Sequence, residues 1–131
     1  MNGSITGLYG GLTALLVIGL GVRVVQLRMR HRVGLGDGGI AELSRAIRTH
    51  GNLVENAPLV LLLMLVAELS AAAPPVALHA AGVAVLTGRL LHAFGLSRSP
   101  NRSPGRFLGV LLTWLTILAL ALLLIVRGLA R

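Results

Sequence analysis

The chain has 131 residues, of which 55% are hydrophobic and only 12% are charged, and this balance excludes an ordinary water-soluble domain, where about 25% of residues are charged. The formal net charge of +8 comes from arginine without any lysine, and because most of these arginines flank or interrupt apolar runs, we interpret them as membrane-topology signals rather than as a nucleic-acid surface. The absence of cysteine excludes disulfides, thiolate metal sites and cysteine nucleophiles.

Four apolar runs are long enough to cross a bilayer as helices. The predicted spans are residues 5–27, 40–70, 75–95 and 106–129, each at or above the roughly 20 residues that a membrane helix needs. The first run continues into an arginine cluster at Arg28, Arg30 and Arg32, so we interpret it as a retained span and not as a cleaved signal. The sequence therefore predicts an all-α, integral membrane four-helix bundle with a single domain over residues 1–131.

Arginines concentrate in the first and third loops and the adjoining helix ends, whereas the second loop has none. Positively charged loops stay in the cytoplasm, so we expect both termini to lie on the other side of the membrane. Arg127 and Arg131, near the C-terminus, weigh mildly against this orientation.

A polar stripe enters the second predicted helix. Arg45, Arg48, Asn52 and Glu55 follow one another at intervals of three or four residues, which keeps them on one face of a helix. Glu55 lies deepest, and an ionisable group at such depth needs a partner. We expect that partner to be Arg48, Arg89 or a cationic group of a ligand, and a purely structural salt bridge is the alternative.

The third predicted helix carries a second polar pair, Arg89 and His92, three residues apart and next to Gly88. A glycine at this place allows close helix approach, so this pair can converge with the stripe of the second helix. The histidines show no i, i+4 pair that would hold zinc, and no G-x-S-x-G elbow is present. We therefore predict neither a metal site nor a serine hydrolase.

Two sequence blocks resemble the MAPEG family, the membrane-associated proteins in eicosanoid and glutathione metabolism. The second-helix pattern of this family is matched by Arg48, Asn52, Glu55 and Pro58. A block over residues 88–95, G-R-L-L-H-A-F-G, is similar to its third-helix element. The length and short loops favour a compact bacterial member, which implies a multi-pass protein of the bacterial inner membrane.

The resemblance implies a homotrimer that holds glutathione between neighbouring subunits. Arg48 and Arg89 would contact the carboxylates of glutathione, Asn52 its backbone, and Glu55 its amino group. Arg28 would be a further carboxylate contact, and His92 is included in the binding site with them.

The resemblance also implies a catalytic arginine at the start of the fourth helix, where the sequence offers both Arg106 and Arg102. We prefer Arg106, because it opens the last span. Eicosanoid-forming relatives often have a tyrosine seven residues after the third-helix arginine, and here this position is Leu96.

The expected function is a glutathione-dependent transferase or peroxidase that acts on a lipophilic electrophile or a lipid hydroperoxide. The alternative is a noncatalytic protein of the same fold that binds lipid or partner proteins. A small multidrug transporter also fits the length, but such proteins typically use an acidic residue in the first span, and this first span has none.

Overall fold

The computed structural model describes residues 3–98 and 103–130 and consists of four long helices. These are α1 (Ser4–His31), α2 (Ala41–Leu69), α3 (Pro75–Arg98) and α4 (Pro104–Leu129). All four are long and apolar enough to span a membrane, and an isolated helix can do so because it pairs its backbone groups internally. The prediction of an all-α, integral membrane four-helix bundle is confirmed.

The inner helices of the bundle are α2 and α3. Each of them contacts the other three helices, whereas α1 and α4 make no contact with each other over the described residues. The main apolar core lies around Val60, Met64 and Leu78, all fully buried, and it includes Tyr9 from α1 and Leu120 from α4. A smaller core at the end of α1 joins Leu27 to Leu43 and Ala46 of α2.

The helix ends follow local rules of capping. α1 ends at Arg32, which adopts a left-handed conformation with φ of 55° and donates its N–H to carbonyls of the last turn, a common way to close a helix. Ser103 is the N-cap of α4, and its hydroxyl accepts a hydrogen bond from the Arg106 N–H. The first turn of α4 also contains a proline. The start of α4, and with it Arg106, is therefore fixed locally.

The glycine-rich connector between α1 and α2 forms an ordered turn. The carboxylate of Asp37 accepts a hydrogen bond from the Gly39 N–H at 3.0 Å. This bond and a second one from the Ser44 side chain lower the pKa of Asp37 below its ordinary value. The turn is thereby tied to the first residues of α2.

Candidate functional site

The second helix carries a buried stripe beside the polar one. Its buried apolar and small positions recur every three or four residues, at Leu43, Ala46, Thr49, Leu53, Ala57, Val60, Met64 and Ala67. This spacing turns one side of α2 toward the bundle. Because Arg45, Arg48 and Asn52 each immediately precede a member of this stripe, they lie at the edge where α2 meets its neighbours.

Arg89 joins three helices. Its guanidinium donates one hydrogen bond to Asn52 Oδ1 on α2 at 2.5 Å and another to the carbonyl of Gly109 on α4 at 2.9 Å. The residue is only 3% exposed, and its Nε finds no hydrogen-bond partner among the described residues. Arg89 therefore fixes the Asn52 side chain from α3 through this hydrogen bond.

Glycines bring α3 and α4 into backbone contact. A Cβ atom at Gly88 would lie 2.9 Å from the Gly109 carbonyl oxygen, and one at Gly95 would lie 2.9 Å from the Arg106 backbone nitrogen. Both distances are too short for a side chain against backbone atoms. The lack of a Cβ at Gly95 is thus what allows Arg106 to lie directly against α3.

A cavity of about 140 Å³ lies between α2, α3 and α4, and we call it the polar cavity. It is lined by Ser44, Arg45, Arg48, Asn52, His92, Leu96 and Arg106. Three arginines and one amide thus share a small space, and within the described part of the chain no carboxylate lines it. Such a lining suits an anion, because guanidinium groups bind carboxylates through two parallel hydrogen bonds.

The Arg48–Glu55 pair lies beside the cavity on the outer surface of the single chain. Arg48 Nη1 is 3.7 Å from Glu55 Oε1, and their side chains are 64% and 59% exposed. Arg48 is thus one of the partners that the sequence predicted for Glu55. Charges are costly against lipid, so this surface needs a polar cover in the membrane.

The structure brings together Arg48, Asn52, His92 and Arg106, and Glu55 lies next to them through its pair with Arg48. Arg89 does not line the cavity but supports Asn52. Arg28 donates to the carbonyl of Gly36 at 2.9 Å and does not line the polar cavity of its own chain. Arg102 lies outside the described residues, so the choice between Arg102 and Arg106 stays a prediction.

Sequence reasoning did not include Ser44, Arg45 and Leu96 in the binding site, although all three line the cavity. The sequence did contain a pattern that could have placed Arg45 in the site, because Arg45 belongs to the polar stripe, four residues before Thr49 and three before Arg48. Leu96 could have been placed there too, since it follows His92 by four residues and so lies on the same face of the helix.

A second polar group at the other end of the bundle was also missed. Glu68, in the last turn of α2, is 1% exposed, and its carboxylate accepts the backbone N–H groups of Ile5 at 3.0 Å and Thr6 at 2.8 Å. It therefore supplies the cap that α1 lacks in its own sequence. Nearby, the hydroxyl of Tyr9 and Nδ1 of His79 share a hydrogen bond of 3.1 Å, the neighbour contact expected of a lone histidine.

Comparison with known proteins agrees with the architecture. A family model described as "MAPEG family" matches residues 6–126. Two relatives, both named "Inner membrane protein YecN" and found in Escherichia coli strains K12 and O6:H1, are each 41% identical over 118 residues. That alignment covers 90% of this chain and 88% of each relative.

The prediction of a multi-pass protein of the bacterial inner membrane is confirmed by these relatives together with the four membrane-spanning helices. The family model covers nearly the whole chain, including all polar residues that line the cavity. The chain therefore belongs to the MAPEG family.

Proposed function

We propose that this protein is a glutathione-dependent membrane enzyme, a transferase or peroxidase that acts on a lipophilic electrophile or a lipid hydroperoxide. The observation that carries the proposal is the polar cavity, which three arginines line together with an amide and an imidazole: Arg45, Arg48, Arg106, Asn52 and His92. Glutathione has two carboxylates, one amino group and one thiol. The guanidinium groups of the cavity can bind the two carboxylates of glutathione. Glu55, beside the cavity, can bind the amino group through its own carboxylate.

The size of the cavity supports a site shared between subunits. Its volume of about 140 Å³ is below the roughly 300 Å³ at which small-molecule sites begin. A tripeptide that entered it would extend over the exposed Arg48–Glu55 pair, where a second copy of the chain would cover it. A neighbouring copy could also supply Arg28, which does not line the cavity of its own chain.

Arg106 is the residue proposed to stabilise the thiolate. It lines the cavity from the first turn of α4, where the positive end of the helix dipole also favours an anion. A free thiol has a pKa near 8.5, and a nearby positive charge lowers it and raises the thiolate fraction. The thiolate is the nucleophile that attacks an electrophile or reduces a hydroperoxide.

Calorimetric titration of glutathione into the purified protein in lipid nanodiscs tests the binding step. We expect saturable binding that Glu55→Gln weakens by about ten- to a hundredfold, because a hydrogen bond between charged groups is lost. Glu42→Gln is the matched control, since Glu42 makes an ion pair with Arg23 and does not line the polar cavity. Turnover of a model electrophile and of a lipid hydroperoxide then tests the reaction, and a protein that binds no glutathione contradicts the proposal.

A noncatalytic role is the second candidate, and Leu96 is the observation that favours it. Leu96 lines the polar cavity and is 7% exposed. An aliphatic side chain therefore occupies the position where eicosanoid-forming relatives often have a tyrosine. Glutathione or lipid binding without turnover of any electrophile would support this alternative.

A further inference from the structure

A second cavity lies between α1, α2 and α3, and we call it the apolar cavity. Its volume is about 260 Å³. It is lined by Leu16, Leu20, Arg23, Glu42, Arg45, Ala46, Thr49, Leu90, Ala93 and Phe94. Of these residues, Arg45 alone also lines the polar cavity.

The lining of the apolar cavity is charged at one end and aliphatic at the other. Arg23, Glu42 and Arg45 lie toward the arginine-rich end of the bundle, where α1 finishes and α2 begins. Leu16 and Leu20 extend the cavity along α1 toward the middle of the span, and Leu16 is about 10 Å from Arg23 at helical rise. This gradient matches the polarity of a membrane lipid.

The charges at this end do not cancel. Arg23 and Glu42 form an ion pair at 3.2 Å, whereas the Arg45 guanidinium has no hydrogen-bond or ion-pair partner among the described residues. One positive charge is thus left over at the boundary of a membrane protein, where an unpaired charge is costly. An anion that reaches Arg45 from the bilayer would supply the missing partner.

We propose that the apolar cavity binds one acyl chain of an anionic phospholipid, whose phosphate is held by Arg45. The cavity is a little smaller than a usual small-molecule site, which suits a single chain and leaves the rest of the lipid in the bilayer. Basic pockets between membrane helices at the cytoplasmic side are known places for anionic headgroups. This inference does not depend on the proposed enzymatic function.

Native mass spectrometry of the purified protein, with identification of the bound lipids, tests whether the chain occupies the cavity. We expect the wild-type protein to keep one phosphatidylglycerol per chain in mild detergent. Leu16→Trp fills the cavity and should reduce this retention by about tenfold or more. Leu15→Trp is the matched control on the same helix, because Leu15 is 69% exposed and lies outside the cavity.

Titration with phosphatidylglycerol and with zwitterionic phosphatidylethanolamine tests the role of Arg45. We expect the wild-type protein to prefer phosphatidylglycerol and Arg45→Gln to lose about tenfold or more in that affinity, the range for a lost hydrogen bond between charged groups. Arg30→Gln, which removes an exposed arginine at the end of α1, should keep the preference. This comparison separates a specific headgroup contact from general attraction to a basic surface.

Three results would overturn the inference. One is a wild-type protein without bound phospholipid, and another is a bound free fatty acid in its place. The third is equal lipid retention by the folded Leu16→Trp and Leu15→Trp variants. Glutathione binding measured on the same samples keeps this outcome distinct from the fate of the proposed function.

Discussion

At the scale of single residues, the role proposed for Arg106 predicts that glutathione binding and catalysis can be separated. We expect Arg106→Ala to keep glutathione affinity within a small factor, because Arg45 and Arg48 still line the polar cavity. The ultraviolet absorbance of the bound thiolate should disappear and turnover should fall steeply, since the charge that lowers the thiol pKa is gone.

Arg106→Lys is the informative companion variant, because it keeps the positive charge and should restore part of the thiolate absorbance. A full thiolate signal in folded Arg106→Ala would remove Arg106 from the proposed role. Arg102 would then be the next residue to substitute.

Glu68 makes a residue-scale prediction about stability. Its buried carboxylate accepts two backbone N–H groups at the start of α1, and the amide of a glutamine can replace only one of these acceptors. We expect Glu68→Gln to lower the free energy of unfolding in detergent by about 1.5–3 kcal/mol, the range for a hydrogen bond to a charged group. Amide exchange at Ile5 and Thr6 should accelerate with it.

Glu42→Gln serves as the control for Glu68→Gln, because its ion pair with Arg23 is partly exposed and such pairs contribute about 1 kcal/mol or less. Equal unfolding free energies for the Glu68→Gln variant and the wild type would show that the cap contributes nothing.

At the scale of helices, the contact between α3 and α4 depends on glycine. Gly88→Ala would bring a Cβ to 2.9 Å from the Gly109 carbonyl oxygen, which also accepts from Arg89. We expect a loss of about 1–3 kcal/mol in the free energy of unfolding, typical of overpacking. Gly19→Ala is the control, since a Cβ there meets no atom within 4 Å, and equal destabilisation of both variants would contradict the close contact.

The helices could be predicted from the sequence because their apolar runs have the length of a bilayer. Arg48 and Asn52 could be predicted as well, since helical periodicity alone puts them on one face. The partners of side chains that are buried where helices contact each other could not be predicted in this way. The Arg89 guanidinium donates to Asn52 and to the Gly109 carbonyl, and these contacts depend on how α3 packs against α2 and α4.

Two further contacts also lie beyond what residue spacing predicts. Glu68 accepts the backbone N–H of Thr6, which lies 62 residues earlier in the sequence, and no local sequence pattern predicts such a bond. Arg28 sits at a helix end whose loop folds back, so that the Gly36 carbonyl accepts its hydrogen bond. In both cases the chain fold, rather than residue spacing, decides what the side chain meets.

At the scale of the whole molecule, the orientation in the membrane is a direct prediction. Arginines lie in the first and third loops, so reporter fusions at residue 36 and at the C-terminus should fall on opposite sides, with residue 36 in the cytoplasm. A periplasm-active and a cytoplasm-active reporter at each position measure this. Two fusions on the same side would contradict the four-span topology.

The proposed trimer makes a second whole-molecule prediction. Native mass spectrometry in mild detergent should give three copies, because the exposed Arg48–Glu55 pair needs a protein or ligand cover in lipid. If a neighbour supplies Arg28, mixing excess Arg28→Gln subunits with Asn52→Ala subunits should restore some intact glutathione sites. A persistent monomer, or no restored binding in verified mixed trimers, would contradict shared sites.

Arg45 lines both the polar cavity and the apolar cavity, and a single guanidinium cannot give the same N–H groups to two anions. The two ligands proposed for these cavities should therefore oppose each other. Binding linkage is reciprocal, so a bilayer rich in anionic lipid should weaken glutathione binding by the same factor by which saturating glutathione weakens lipid binding. The lipid composition of the membrane would in this way set the glutathione concentration at which the protein becomes loaded.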